Sequence, residues 1–286
     1  MSRVASVFHH CGLAALSDLQ NPESQAVLRE LEDESRVFMA RDAEIRKPHS
    51  RWMRDPLHTW SRVWEYPYAY YHLRNWRASF TGQALPHVVD YGSGVTFFPF
   101  AVAKLGFRVT CVDIDRICQV DMERAIECIP AAPGKVEFKL CGNDSIPLPD
   151  ASADAVYCIS VIEHMQDFAS AATKEMARVL KPGGMLILTF DLDLRGDQAI
   201  GVEPYRRLRE AIDQRFDLIY PERTIHPNDA LRSDRSICPC RKVNIWLHPR
   251  WFCYHVLLKI LSARRPSHRL PHWLTAMGLA AKKSSP

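Results

Sequence analysis

The stretch Val88-Val-Asp-Tyr-Gly-Ser-Gly94 holds the residues best spaced for chemistry. Two β-branched residues and an acid run straight into a Gly-x-Gly turn. Glycine accepts φ > 0 and lets a ligand approach the backbone, so this reads as a buried strand ending in a tight loop. Asp113 lies 21 positions after Gly92 (113 − 92), at the end of a second apolar run, Val109-Thr-Cys-Val112. A strand, a glycine turn, a helix, a second strand and an acid about 20 residues on form the layout that holds an adenosine. The glycines admit the ligand, and the acid accepts hydrogen bonds from both ribose hydroxyls. The turn continues Val95-Thr-Phe-Phe-Pro99, with no third glycine. Bulky side chains and a proline leave little room for a pyrophosphate at the helix N-terminus, which favours an adenosine ligand without phosphates. Read alone, the same glycines also suit an ordinary strand-to-helix turn.

Other elements must bring partners to this turn. Asp154-Ala-Val-Tyr-Cys-Ile159 is a short apolar run suited to a central parallel strand. Its carboxyl end presents Ser160 to Glu163 at the same rim as Gly92, where ligands of open α/β sheets bind. Lys181-Pro-Gly-Gly184 stops a helix, with glycine as the left-handed cap, and Met185-Leu-Ile-Leu-Thr-Phe190 follows as a strand. Upstream, Asn21-Pro22 reads as an N-cap with proline at the first helical position. A helix is expected from there to about Arg46, with Val27, Leu28, Leu31, Val37 and Phe38 on its apolar side. Residues 1–20 read as weakly structured. An aromatic segment with Trp52, Trp60, Trp64, Tyr66, Tyr68, Tyr70, Tyr71 and Trp76 follows, and Pro56 and Pro67 are expected to cut it into short helical pieces. Tyr205 to Phe216 reads as a helix, Leu218 to Tyr220 as a strand, and Trp273 to Ala280 as a last strand.

Four segments in order carry a resemblance: Val88 to Gly94; Cys141-Gly-Asn-Asp-Ser-Ile-Pro-Leu-Pro-Asp150 with Ser152 to Ser160; Val161-Ile-Glu-His164; and Glu175 to Gly184 with the strand after it. They resemble the class I S-adenosylmethionine-dependent methyltransferases, most closely the small-molecule enzymes of the LPFPD…EH…LKPGG type. The resemblance spans roughly residues 87–191. It implies an α/β, Rossmann-like fold: a mostly parallel seven-stranded sheet, helices on both faces and an antiparallel last strand. It divides the chain into an aromatic helical lid (1–86), a cofactor-binding core (87–220), a basic, aromatic insertion (221–270), and a last core strand with a tail (271–286). The lid aromatics either line the acceptor pocket or pack as core.

The resemblance also implies roles. S-adenosylmethionine is the cofactor. Gly92, Ser93 and Gly94 pass beside its methionine part, with Asp90 supporting the turn. Asp113 holds the ribose and Ile114 lies against the adenine. Asp144, or Asn143 beside it, meets the adenine amino group, and Ser160 and Val161 add contacts near the sulfur. Methyl transfer from a sulfonium is a direct displacement, so positioning can supply much of the acceleration. A base is needed only for a weakly acidic hydroxyl. His164 is the base candidate, with Glu163 beside it to orient it or raise its pKa; the alternative is that both only pin the following loop. One subgroup of related enzymes binds a divalent metal through a Glu-x-x-Glu-His cluster. Ser160 stands at the first of those positions, so no metal is expected, although Asp191 or Asp193 offers a substitute ligand.

Composition sets the partners. At 47% hydrophobic and 24% charged, the chain reads as a globular protein with one core and a cap. Met1 to His10 has no apolar core of a secretory signal, and nine cysteines fall largely in apolar segments, so free thiols and a cytoplasmic location are expected. Cys238-Pro-Cys240 reads as a surface pair rather than half a metal site. Ten Lys and Arg, with no Asp or Glu, fall between Arg235 and Pro286. Such a block draws anionic partners, including a membrane surface contacted peripherally. No motif for a flipped base is present, which argues against nucleic acid. The acceptor is expected to be a small or medium-sized molecule, acidic or partly apolar, methylated at oxygen. Two other readings stand beside this one: a non-catalytic S-adenosylmethionine-binding protein, and a nucleotide-cofactor oxidoreductase. The oligomeric state is left open.

Overall fold

A computed structural model describes residues 6–46, 55–58, 61–82, 84–142, 145–165, 169–193, 200–233 and 274–284. In chain order these form β1 (Cys11–Leu13), α1 (Pro22–Ala40), α2 (Asp42–Ile45), α3 (Arg62–Ser79), β2 (His87–Tyr91), α4 (Phe98–Lys104), β3 (Arg108–Asp113), α5 (Arg116–Cys128), β4 (Lys135–Leu140) and β5 (Ala153–Ile159). Then come α6 (Ala169–Val179), β6 (Leu180–Asp193), α7 (Val202–Asp213), β7 (Phe216–Leu218), β8 (Glu222–Arg223) and β9 (Leu274–Lys283).

One sheet runs β4-β3-β2-β5-β6-β9-β1-β8, with β7 also on β9. Strands β2 to β6 pair in parallel, and β9 lies antiparallel to β6 and β7. This is the expected mostly parallel sheet of seven strands with its antiparallel last member. Two short strands extend it: β1 pairs antiparallel with β9, and β8 pairs parallel with β1. Strand residues alternate between faces. Val88, Tyr157 and Ile187 pack with α1, α3, α4 and α5, whereas Val89, Cys158 and Leu188 pack with α6 and α7. Helices therefore cover both sides, as near-continuous apolar strands require.

Several expectations change. Lys181 to Gly184, expected to stop a helix, lies inside β6, because α6 already ends at Val179. Phe216, expected to end a helix, opens β7. Residues 11–13 join the sheet, because their backbone finds partners on β9 and β8, far away in the chain. The first helix starts as expected, with the Asn21 side chain accepting from the Glu23 N–H at 2.9 Å, but it breaks at Arg41 and resumes as α2. Pro67 does not cut α3. An internal proline costs about 3 kcal/mol. Around it Trp64, Tyr66, Tyr68 and Tyr71 are all buried, and each large apolar side chain returns ~1.5–3 kcal/mol. Trp64 and Tyr68 stack with centroids 4.8 Å apart. They lie over Gly278 of β9, where an added Cβ would sit 2.7 Å from the Trp64 ring. The Trp64 indole N–H donates to Asp18 at 2.8 Å. These aromatics are core, and they lock α3 across the sheet. Trp52, Trp60 and the basic 234–273 stretch, including Cys238, Cys240 and the aromatics of the insertion, lie outside the described residues.

Candidate active site

The glycine turn is built as its spacing suggests. Gly92 and Gly94 take φ of +73° and +55°. The N–H groups of Gly92 and Ser93 donate to the Val112 carbonyl at 2.8 and 3.1 Å, which pins the turn to the end of β3. A Cβ on Gly92 would lie 2.5 Å from a γ carbon of Val161, so β5's exit loop closes directly over the turn. Ser93 is buried, and its hydroxyl and the Cys118 thiol both donate to the Gly94 carbonyl.

Asp113 ends β3 with its carboxylate over this turn. One oxygen accepts from Gly94 N–H at 3.0 Å and the other from Asp115 N–H at 3.0 Å. Asp115 in turn caps α5 through the Ile117 N–H at 2.7 Å. Ile114 stands beside them 59% exposed, an apolar face at the rim with no protein covering it. Asp90 is buried beneath the turn. Burial, with the Asp113 charge adding to it, pushes its pKa up to about 8 against the pull of nearby Tyr157. The Tyr157 hydroxyl itself makes no hydrogen bond of normal geometry. Asn143 and Asp144 lie outside the described residues.

A polar cluster that sequence reasoning missed sits at the end of β5. Ser160 holds φ at +47°, rare for a residue with a side chain. Its hydroxyl meets both carboxylate oxygens of Glu65 at 2.8 Å. Glu65 comes from α3 and is fully buried. It also accepts from Ser61 at 2.7 Å and from the Arg62 guanidinium at 2.5 Å, and Arg62 reaches Ser160 as well. Ser61 contacts Asp191, near the end of β6, at 3.4 Å. The one signal in the sequence was an arginine and a glutamate three apart inside an aromatic run.

Glu163 belongs to this cluster. Burial first, then the charges of Asp191 and Glu65, hold its pKa well above the carboxylate range, with Arg62 opposing. One of its oxygens is buried without a hydrogen-bond partner. His164 is exposed and makes no side-chain hydrogen bond among the described residues. Partial burial of the ring, then Arg62, lowers its pKa. The expectation that Glu163 orients His164 or raises its pKa is therefore corrected. Residues 162–164 form a 3-10 turn, in which consecutive side chains diverge by about 120°. The acid goes in and the imidazole goes out.

Beside the ends of β6 and β1 lies a cavity of about 360 Å³, lined by Leu13, Leu192, Asp193, Ile200, Tyr205 and Met277 among others. Its lining is mostly apolar, with Arg223 and Glu222 also part of it. Among the described residues no group of three or more His, Cys, Asp or Glu is placed to hold a metal ion.

Comparison with known proteins agrees with this geometry. Residues 89–188 match the family described as "Methyltransferase domain". The chain is 33% identical over 132 residues to 2-methyl-6-phytyl-1,4-hydroquinone methyltransferase of Synechocystis sp., covering 44% of this chain and 39% of that one. It is 28% identical over 112 residues to O-methyltransferase resE of Aspergillus sclerotiorum, covering 39% and 42%. The matches thus span about two fifths of these relatives' length. Among solved structures, the [4+2]-cyclase SpnF superposes with a TM-score of 0.54 at 19% identity, covering 93% of this chain and 98% of that one, a likeness of fold.

Proposed function

Because the chain belongs to the class I S-adenosylmethionine-dependent methyltransferase superfamily, we propose that it transfers a methyl group from S-adenosylmethionine to an oxygen of a small or medium-sized, partly apolar acceptor. The observation that carries this reading is the Asp113 carboxylate held over the Gly92–Gly94 turn, with exposed Ile114 beside it. A ribose would exchange its hydroxyls onto Asp113, and an adenine face would cover Ile114. Gly92, Ser93 and Gly94 leave the methionine part room along the backbone, over buried Asp90. Ser160 and Val161 close the opposite side, and Asn143 or Asp144 keeps the adenine amino group as its expected partner. Phe97 and Phe98 are buried against Tyr66, and Pro99 stands in the first turn of α4, so bulky side chains rather than a glycine-rich backbone face that end. That arrangement supports adenosylmethionine over a dinucleotide.

When bound, the cofactor supplies a methyl on a positively charged sulfur, an excellent leaving group. The residues of this chain need only align an acceptor and exclude water, which suits a site roofed by α3. Buried carboxylates at the rim support a hydroxyl acceptor, since they can receive its proton. The basic 235–286 block would meet an acidic group on the acceptor or the surface of an anionic membrane. No described helix is long and apolar enough to cross a membrane. The free cysteines support a cytoplasmic setting.

Calorimetry with S-adenosylhomocysteine tests the reading. Asp113→Ala should weaken binding by roughly 10- to 100-fold, the loss of a charge-assisted hydrogen-bond acceptor. Unchanged affinity would overturn the cofactor assignment. Tight binding without methyl transfer to a panel of hydroxylated acceptors would leave only a binding protein.

A further inference from the structure

Building on the reading above, we propose that Glu163 handles the proton of this site: it releases one when the positively charged sulfur of S-adenosylmethionine arrives, then takes the proton of the acceptor hydroxyl. The placement comes first. Glu163 lies two residues beyond Val161, whose γ carbons close over Gly92, so it stands where the glycine turn and the end of β5 meet. It is 6% exposed, and one carboxyl oxygen has no partner. A buried polar atom left unpaired is costly and calls for a reason.

The surrounding charges supply that reason. From α3, Arg62 and Glu65 face Glu163, and from β6 Asp191 does. The neighbouring thiol of Cys158 is buried and its pKa pushed well up, so it stays neutral. His164, on the same turn, faces outward. Arg62 is already engaged by Glu65 and Ser160. Burial, with the Glu65 and Asp191 carboxyls close by, favours the protonated form of Glu163. A sulfonium beside it would favour the ionised form and allow the proton to leave.

The transfer then balances. The acceptor oxygen forms a bond to the methyl carbon as the bond from that carbon to sulfur breaks. The hydroxyl proton passes to the Glu163 carboxylate, and the sulfur becomes a neutral thioether. Both charges disappear together, and Glu163 is left as it began.

S-adenosylmethionine and S-adenosylhomocysteine differ by one methyl and one charge, so their binding separates the effect. Calorimetry of each ligand, in two buffers of different ionisation enthalpy at one pH, counts protons exchanged. Wild type should release up to about one proton on binding the methionine form and none with the homocysteine form. Glu163→Gln should bind both and erase the difference, whereas His164→Gln should keep it. Equal proton counts for the two ligands in wild type would overturn the proposal, even if no variant folds. So would a difference that survives in Glu163→Gln. If neither ligand binds wild type, the adenosylmethionine reading fails and this inference fails with it.

Discussion

The contact between Gly92 and Val161 makes a sharp test of how the site is held. In Gly92→Ala the new methyl would meet the two γ carbons of Val161 at 2.5 and 2.6 Å, and the backbone would hold an L-residue at φ +73°. The left-handed conformation costs about 1–2 kcal/mol, and the overpacking adds about 1–3 kcal/mol. A loss of ~2–5 kcal/mol in unfolding free energy is expected, with weakened binding of S-adenosylhomocysteine. Val161→Ala removes both offending carbons and leaves only its Cβ, 3.1 Å from the added methyl. In the Gly92→Ala background it should recover most of the overpacking term and leave the conformational one. Urea unfolding of the four proteins in this double-mutant cycle gives the coupling directly. Two results would refute the reasoning: a coupling near zero, or a Gly92→Ala protein within about 0.5 kcal/mol of wild type.

Three further outcomes follow from the same structure. Burial, then His9 and His10, pushes the His72 pKa down to about 3, whereas the unfolded chain binds that proton near pH 6.5. The stability it contributes is therefore present above about pH 6.5 and lost as the pH falls, by about 1.4 kcal/mol at pH 5.5. Unfolding at pH 7.5 and 5.5 should show a dependence flatter by that amount in His72→Leu, a comparison in which the opposite slopes from Asp90 and Glu163 cancel; matching slopes would remove the buried-histidine account. Cys111 and Cys158 are buried with thiol pKa values pushed well up, so iodoacetamide at neutral pH should spare both until the protein unfolds, as mass spectrometry would show. Asn21→Ala removes the cap on α1 and should cost ~1 kcal/mol in urea unfolding.

The elements legible in the sequence were those whose signals are local. The glycine turn, the strand before it and Asp113 are set by short-range backbone requirements, and the turn formed as its spacing suggested. The Arg62–Glu65–Ser160 group was not legible. Its partners lie on α3 and β5 and meet only because Trp64 and Tyr68 fasten α3 over Gly278. Glu163 and His164 show the converse. They are neighbours in sequence, yet a single tight turn sends them to opposite sides, so adjacency was a poor guide to which groups meet. Pro67 misled for an energetic reason: a local penalty was outweighed by aromatic burial that no local window contains. β1 is three residues long, and its identity as a strand depends wholly on a distant partner.

The position of β9 has a consequence for how the molecule comes into being. β9 lies between β6 on one side and β1 and β7 on the other. It follows β6 in the chain only after α7, β7, β8 and the whole 234–273 stretch. While the polypeptide is being synthesised, the apolar strand β6 must wait with one row of backbone donors and acceptors open. Such an edge can recruit another chain. Joining it to a strand so far along makes non-local contacts, which slow folding. The vulnerable interval for this protein is therefore during its production, before β9 has closed the sheet.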